Sequence, residues 1–226
     1  MRSLFLAPAA ALAALYGSAL AQESRYHDCV ALIEADPELG RTAAQQWVSE
    51  GGGANARHCL AVGDMTAGFP KLAAIRLQEI AERSDAGDEY VRARILSQAA
   101  NAWLKAGEPS LAEEALNKAF ALTPDAGELH VTAALVYGAL ERWASVITAV
   151  GAAEEAGFVS ARTYVLRGRA HAAQGAYQTA ANDVVNALSL DPVNVDALVL
   201  RGELQQTGVV IDVFMTGPGA VEEDGG

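Results

Sequence analysis

Two cysteines and two of the four histidines lie near the front of the chain, in His27-Asp28-Cys29 and His58-Cys59. Two imidazoles and two thiols form a ligand set that zinc accepts. Neighbouring residues on a helix point to different sides, however, so His58 and Cys59 would not both reach one ion. No CxxCH for haem attachment and no CxxC for dithiol exchange occurs. An even pair of cysteines in an exported chain favours a disulfide, Cys29 to Cys59, with two buried free thiols as the alternative. Such a bond would close a loop of ~30 residues and contribute about 2–4 kcal/mol. The chain is expected to carry no metal and no cofactor.

Catalytic constellations are equally sparse. No GxSxG, HExxH or P-loop occurs, and the Gly51-Gly52-Gly53 run lacks the Lys-Ser/Thr that would follow it in a phosphate cradle. No catalytic residue is assigned, and the expectation is a protein that is not an enzyme.

Composition narrows the partners. Formal charge is −12, so general attraction to nucleic acid or anionic lipid is excluded. The opening residues Met1-Arg2-Ser3 precede an apolar run from Leu4 to Leu20 and the small residues of Ala19-Leu20-Ala21. One positive charge, an apolar middle and a small-residue cleavage site describe an export signal over 1–21. Its removal would place the chain in the periplasm of a Gram-negative cell, or outside another cell. No later stretch is long and apolar enough to span a bilayer.

The elements that position these residues read as helices throughout. Gln22 to Asp36 carries one apolar face, and Asp36-Pro37 stops it and opens a second helix to about Ser49. Residues 22–53 form an N-terminal cap closed by the glycine run. A degenerate repeat follows over 54–92, as Ala54–Thr66 and Lys71–Arg83. Small residues then recur 34 positions apart, at Ala100, Ala134, Gly168 and Gly202. A fixed period with apolar residues at matching offsets marks a stack of identical units, here 93–126, 127–160 and 161–194, with a capping half-repeat at 195–208. The tail 209–226 is Gly-rich and acidic and is expected to be largely disordered. Its apolar start, Val209 to Phe214, either packs back on the last helix or is lent to a partner as a strand.

These units resemble the tetratricopeptide repeat family. Its W-x2-L-G-x2-Y, A-x3-F and P positions fall on Tyr164, Arg167, Gly168, His171, Ala180, Val184 and Pro192. In the preceding units they fall on Leu96, Ala99, Ala100, Trp103, Ala112, Leu116 and Pro124, and on His130, Ala133, Ala134, Tyr137, Val146 and Val150. Arg167 stands where Leu is usual and His171 where an aromatic is usual. The resemblance implies an all-α solenoid of stacked helix–turn–helix repeats, with an N-terminal helical cap and a C-terminal capping helix. It places His130 and His171 in packing roles, and Glu113-Glu114 and Glu154-Glu155 on solvated faces.

The resemblance further implies a scaffold that holds a protein or peptide partner in a groove lined by the first helix of each repeat. The groove positions would be Arg94, Ser97, Asn101 and Leu104, then Val131 and Leu135, then Arg162, Val165 and Arg169, and finally Val199 and Glu203. Ser97 replaces the Lys that family members clamping chaperone C-termini require. Arg94, Arg162 and Arg169 suit an extended apolar segment bearing some acid, unless they merely pair with Glu128 and Glu203. The alternative function is an assembly or regulatory subunit that uses its end or convex surfaces.

Overall fold

The computed structural model describes the backbone of residues 9–211 and side chains from residue 22 to residue 211. Residues 1–8 of the expected export signal, and 212–226 of the expected tail, lie outside the described residues. Among those described there are eleven α-helices and no strand. None of these helices is long and apolar enough to cross a membrane. The chain divides into two compact units, Met1–Pro124 and Asp125–Gly226.

In the first unit α1 spans Ala9–Ala35 and α2 spans Pro37–Ser49. The helix expected from Gln22 therefore begins earlier, because the preceding run is dominated by Ala and Leu, the strongest helix formers. Asp36 ends α1 and caps α2, its side chain accepting from the Leu39 N–H at 3.0 Å. Helices α3 (Gly53–Thr66), α4 (Pro70–Ala81), α5 (Glu89–Lys105) and α6 (Pro109–Leu122) follow as successive hairpins. Each packs on the helix before it, and α1 packs on both α2 and α3. Ile33, Trp47, Ala56 and Leu60 form one apolar cluster with Cys29 and Cys59, which are joined in a disulfide. Ala100 is fully buried, and Trp103 beside it donates from its indole N–H to Gln78 at 2.9 Å. Asp64, also fully buried, accepts from Arg41 Nε at 2.6 Å and from Arg76 Nε at 2.7 Å. One carboxylate thus ties α2, α3 and α4 together.

The second unit contains α7 (Gly127–Ala139), α8 (Trp143–Glu155), α9 (Ala161–Ala173), α10 (Tyr177–Leu190) and α11 (Val195–Gln206). Ser160 and Thr163 make a reciprocal capping box that starts α9. Leu129, Val136, Val146 and Val150 fill the first hairpin. Val184 and Leu188 fill the second, with Leu200 and Leu204 of α11 packed against them. A Cβ on Gly168 would stand 3.0 Å from Leu200 Cδ2 and 3.3 Å from Asp183 Cβ, so the missing side chain is what lets α10 and α11 close on α9. Gly202, at the same repeat position on α11, has nothing within 4 Å, since no further helix among the described residues packs there. Val209 and Ile211 fold back onto the α9–α11 cluster, as one of the two expectations for this stretch has it. Val210 points outward.

The tight turns repeat with the helices. Gly107 (φ 75°) and Gly175 (φ 76°) occupy the left-handed region after α5 and α9. Glu141 takes the corresponding place after α7 with φ 56°, where a Cβ is strained.

Candidate functional site

In the first unit the faces of α1, α3 and α5 come together at His58. The Gln98 Oε1 can only accept, so the His58 Nε2–H donates to it, at 2.6 Å. The neutral ring then accepts at Nδ1 from the Tyr26 hydroxyl, at 2.8 Å. Burial holds the His58 imidazole below its ordinary pKa; the bond to Gln98 opposes this, and the nearby Arg94 charge reinforces it. Burial also raises the Tyr26 phenol. The adjacent Cys29–Cys59 disulfide fixes α1 against α3, and with them the Tyr26–His58 bond.

The sequence presents His58 only as a metal ligand. With both sulfurs bonded to each other, neither is a thiolate that a metal could take, and His27 is exposed at the surface. The signal for the observed role is the position of His58 next to Cys59, which any Cys29–Cys59 bond would bring toward Tyr26. Nothing in the sequence points to Gln98, forty residues away.

Of the expected groove residues in this unit, Arg94 is exposed, and Ser97, Asn101 and Leu104 are half-buried. Arg94 borders a cavity of about 200 Å³ together with Tyr26, His58 and Gln98. Its guanidinium lies 5.8 Å from the Tyr90 ring centre. Asn101 borders a second, more apolar cavity of about 230 Å³ with Val62, Met65 and Leu77, and Gln98 lines both. The Asn101 amide donates back to the Ser97 carbonyl at 3.1 Å.

In the second unit Val131 and Leu135 are half-buried on α7, while Arg162, Arg169, Val199 and Glu203 are exposed on α9 and α11. Arg169 pairs with Asp196 at 2.9 Å rather than with Glu128 or Glu203. Val165 departs from the groove expectation. It is 4% exposed and belongs to the same core cluster as Ala197 and Leu200, because α11 packs over that part of α9. Val165 is a packing residue.

Glu154 also departs from expectation. It does not simply face solvent but receives the Arg167 guanidinium and the Tyr164 hydroxyl. Arg167 Nε also donates to Asp183 at 3.0 Å, and His171 Nε2 lies 3.8 Å from the second Asp183 oxygen. Burial raises the Asp183 carboxyl, against the pull of Arg167. The two residues that break the repeat pattern, Arg167 and His171, therefore converge on one buried carboxylate.

No known protein-family profile and no curated protein sequence matches this chain. Solved structures do. A thermophilic TPR protein of Thermus thermophilus is 16% identical, with TM-score 0.61 over 82% of this chain and 99% of that one. MamA (41-end) from Desulfovibrio magneticus RS-1 is 19% identical, with TM-score 0.58 over 69% and 85%. YrrB, a TPR protein with an unusual peptide-binding site, is 16% identical, with TM-score 0.58 over 78% and 90%. With the helical hairpins and buried small residues described above, these likenesses establish that the chain has the tetratricopeptide-repeat fold.

Proposed function

We propose that the protein is a non-enzymatic scaffold that holds a segment of a partner protein against the first helices of its repeats. The observation that carries this reading is the pair of adjoining cavities between α3 and α5. Their mouth combines an exposed arginine with apolar walls, as peptide-holding surfaces do. The peptide-binding site named for YrrB supports the same use of this fold. The protein works outside the cytosol, in the periplasm if the cell is Gram-negative and otherwise secreted. The charge, apolar run and small residues of 1–21 support export, as does a disulfide, which oxidising compartments preserve.

A second reading, a subunit that assembles through its end, draws on α11, where Val195 is 73% exposed and no described residue packs on Gly202. Replacing Arg94, Arg162 and Arg169 by Ala separates the two. Groove binding weakens when these charges go, measured by crosslinking and mass spectrometry of partners in native extract. An unchanged partner set that is lost instead on Val195→Glu would establish the end-on reading and overturn the groove.

A further inference from the structure

The two cavities of the first unit adjoin along α3 and α5 and share Gln98. His58, Val62 and Met65 face them from α3, and Arg94, Gln98 and Asn101 from α5. Residues four apart on a helix are separated by roughly 5.4–6 Å of rise. Each cavity, at about 200 and 230 Å³, falls below the ~300–1,000 Å³ of small-molecule sites, so each suits one side chain.

Their chemistry differs. The first has a polar end formed by Arg94, His58 and Gln98. The second is walled by Ala61, Val62, Met65 and Leu77. Most of the basic residues described in this unit already hold a carboxylate: Arg25 holds Glu50, Arg41 and Arg76 hold Asp64, Arg83 holds Asp85, Lys71 holds Glu108 and Lys118 holds Glu82. Arg94 has no carboxylate partner among the described residues and only the Tyr90 ring beneath it. His58 brings no opposite charge, as its neutral ring is engaged on both nitrogens. Gln98 uses its oxygen for His58, so its amide N–H groups are left to donate. A cation and a neutral donor at one end of a side-chain-sized cavity complement a carboxylate.

We propose that this seam takes an extended partner segment carrying an acidic side chain and, two positions away, an apolar one. In an extended chain, alternate side chains share a face and lie ~6.6 Å apart, close to the rise between the four-apart lining residues His58 and Val62 or Arg94 and Gln98, whereas adjacent ones point to opposite faces. The acid lies against Arg94 and Gln98, and the apolar side chain fills the Val62–Met65 cavity. This inference rests on the scaffold reading and adds the partner's chemistry and register.

The test is a titration of the full chain, followed by NMR of the His58 ring and the Gln98 amide, with end-blocked Gly/Ser octapeptides. One pair has a glutamate and a leucine two positions apart, in either order; the other has them adjacent. The spaced peptides are expected to shift both signals and to bind about tenfold more tightly than the adjacent ones. Arg94→Ala is expected to weaken the spaced peptides about tenfold while leaving the His58–Gln98 bond in place. Val62→Ser, which keeps the acid subsite intact, is expected to remove the advantage of leucine over alanine. Equal binding of spaced and adjacent peptides, indifference to Arg94→Ala, or no response from His58 and Gln98 overturns the proposal. Partner crosslinks that persist from α3 or α5 in the Arg94→Ala chain would leave the scaffold reading standing while removing this one.

Discussion

Arg167 Nη2 lies 2.9 Å from Asp183 Oδ1, and both residues stand where the preceding repeat has alanine, at Ala133 and Ala149. Removing one member strands the other in the core. Arg167→Leu alone is expected to cost about 3–5 kcal/mol, because Asp183 stays buried without its partner. Restoring the repeat pattern with Arg167→Leu, His171→Tyr and Asp183→Ala together is expected to be neutral or stabilising by about 1–4 kcal/mol. Urea denaturation of the two variants measures the difference. A triple variant as unstable as the single one would contradict this account.

The strained turn after α7 gives a cleaner case. Glu141 at φ 56° occupies the place that Gly107 and Gly175 take in the flanking repeats. Glu141→Gly is expected to raise stability by ~0.5–1 kcal/mol, the relief of the left-handed strain exceeding the entropy gained by the unfolded chain. A fall in the denaturation midpoint would show that the Glu141 side chain contributes more than its backbone costs.

These two cases mark what the sequence makes legible. The 34-residue spacing correctly picks out Ala100, Ala134 and Gly168 as buried small residues, because a local pattern repeated in register reports a shared backbone environment. Gly202 obeys the spacing, yet no described residue packs on it, since spacing alone does not show what lies against a helix. Arg167 and His171 are visible as departures from the pattern. Their common partner Asp183 can be found by asking which residue of the same repeat departs with them. The His58–Gln98 bond is not legible, because it joins helices forty residues apart with no periodic signal. Val165 is misplaced in the groove because helical register alone does not show how far α11 covers α9.

The disulfide is expected to act mainly on the first unit. Cys29→Ser with Cys59→Ser removes a bridge with a sequence separation of 30 residues. The expected loss is about 2–4 kcal/mol, read as a lower denaturation midpoint with a steeper slope, since the unfolded chain without the bridge exposes more surface. Helix content should be retained, since Ile33, Trp47 and Leu60 still pack. A midpoint indifferent to both substitutions and to reductant would mean the bond is not formed in the native protein.

His58 gives the first unit a pH dependence. The ring is held below its ordinary pKa in the fold by burial, with the Arg94 charge adding to this and Gln98 opposing it. The unfolded chain therefore takes up the proton first, and stability is lost as pH falls below about 6.5. His58→Gln is expected to flatten this loss between about pH 7.5 and 5.5, measured as the change in thermal midpoint. A wild-type protein that gains stability over the same interval relative to the variant would reverse the sign and exclude a neutral buried His58.

The scaffold reading is tested most directly by placing a photo-crosslinking residue at one position at a time in the native cell. Asn101 on α5 and Leu135 on α7 belong to the first helices of their hairpins, whereas Glu114 on α6 and Glu155 on α8 are exposed on the second. The account predicts partner crosslinks from position 101 or 135 and none from 114 or 155. Crosslinks confined to 114 and 155 would contradict it.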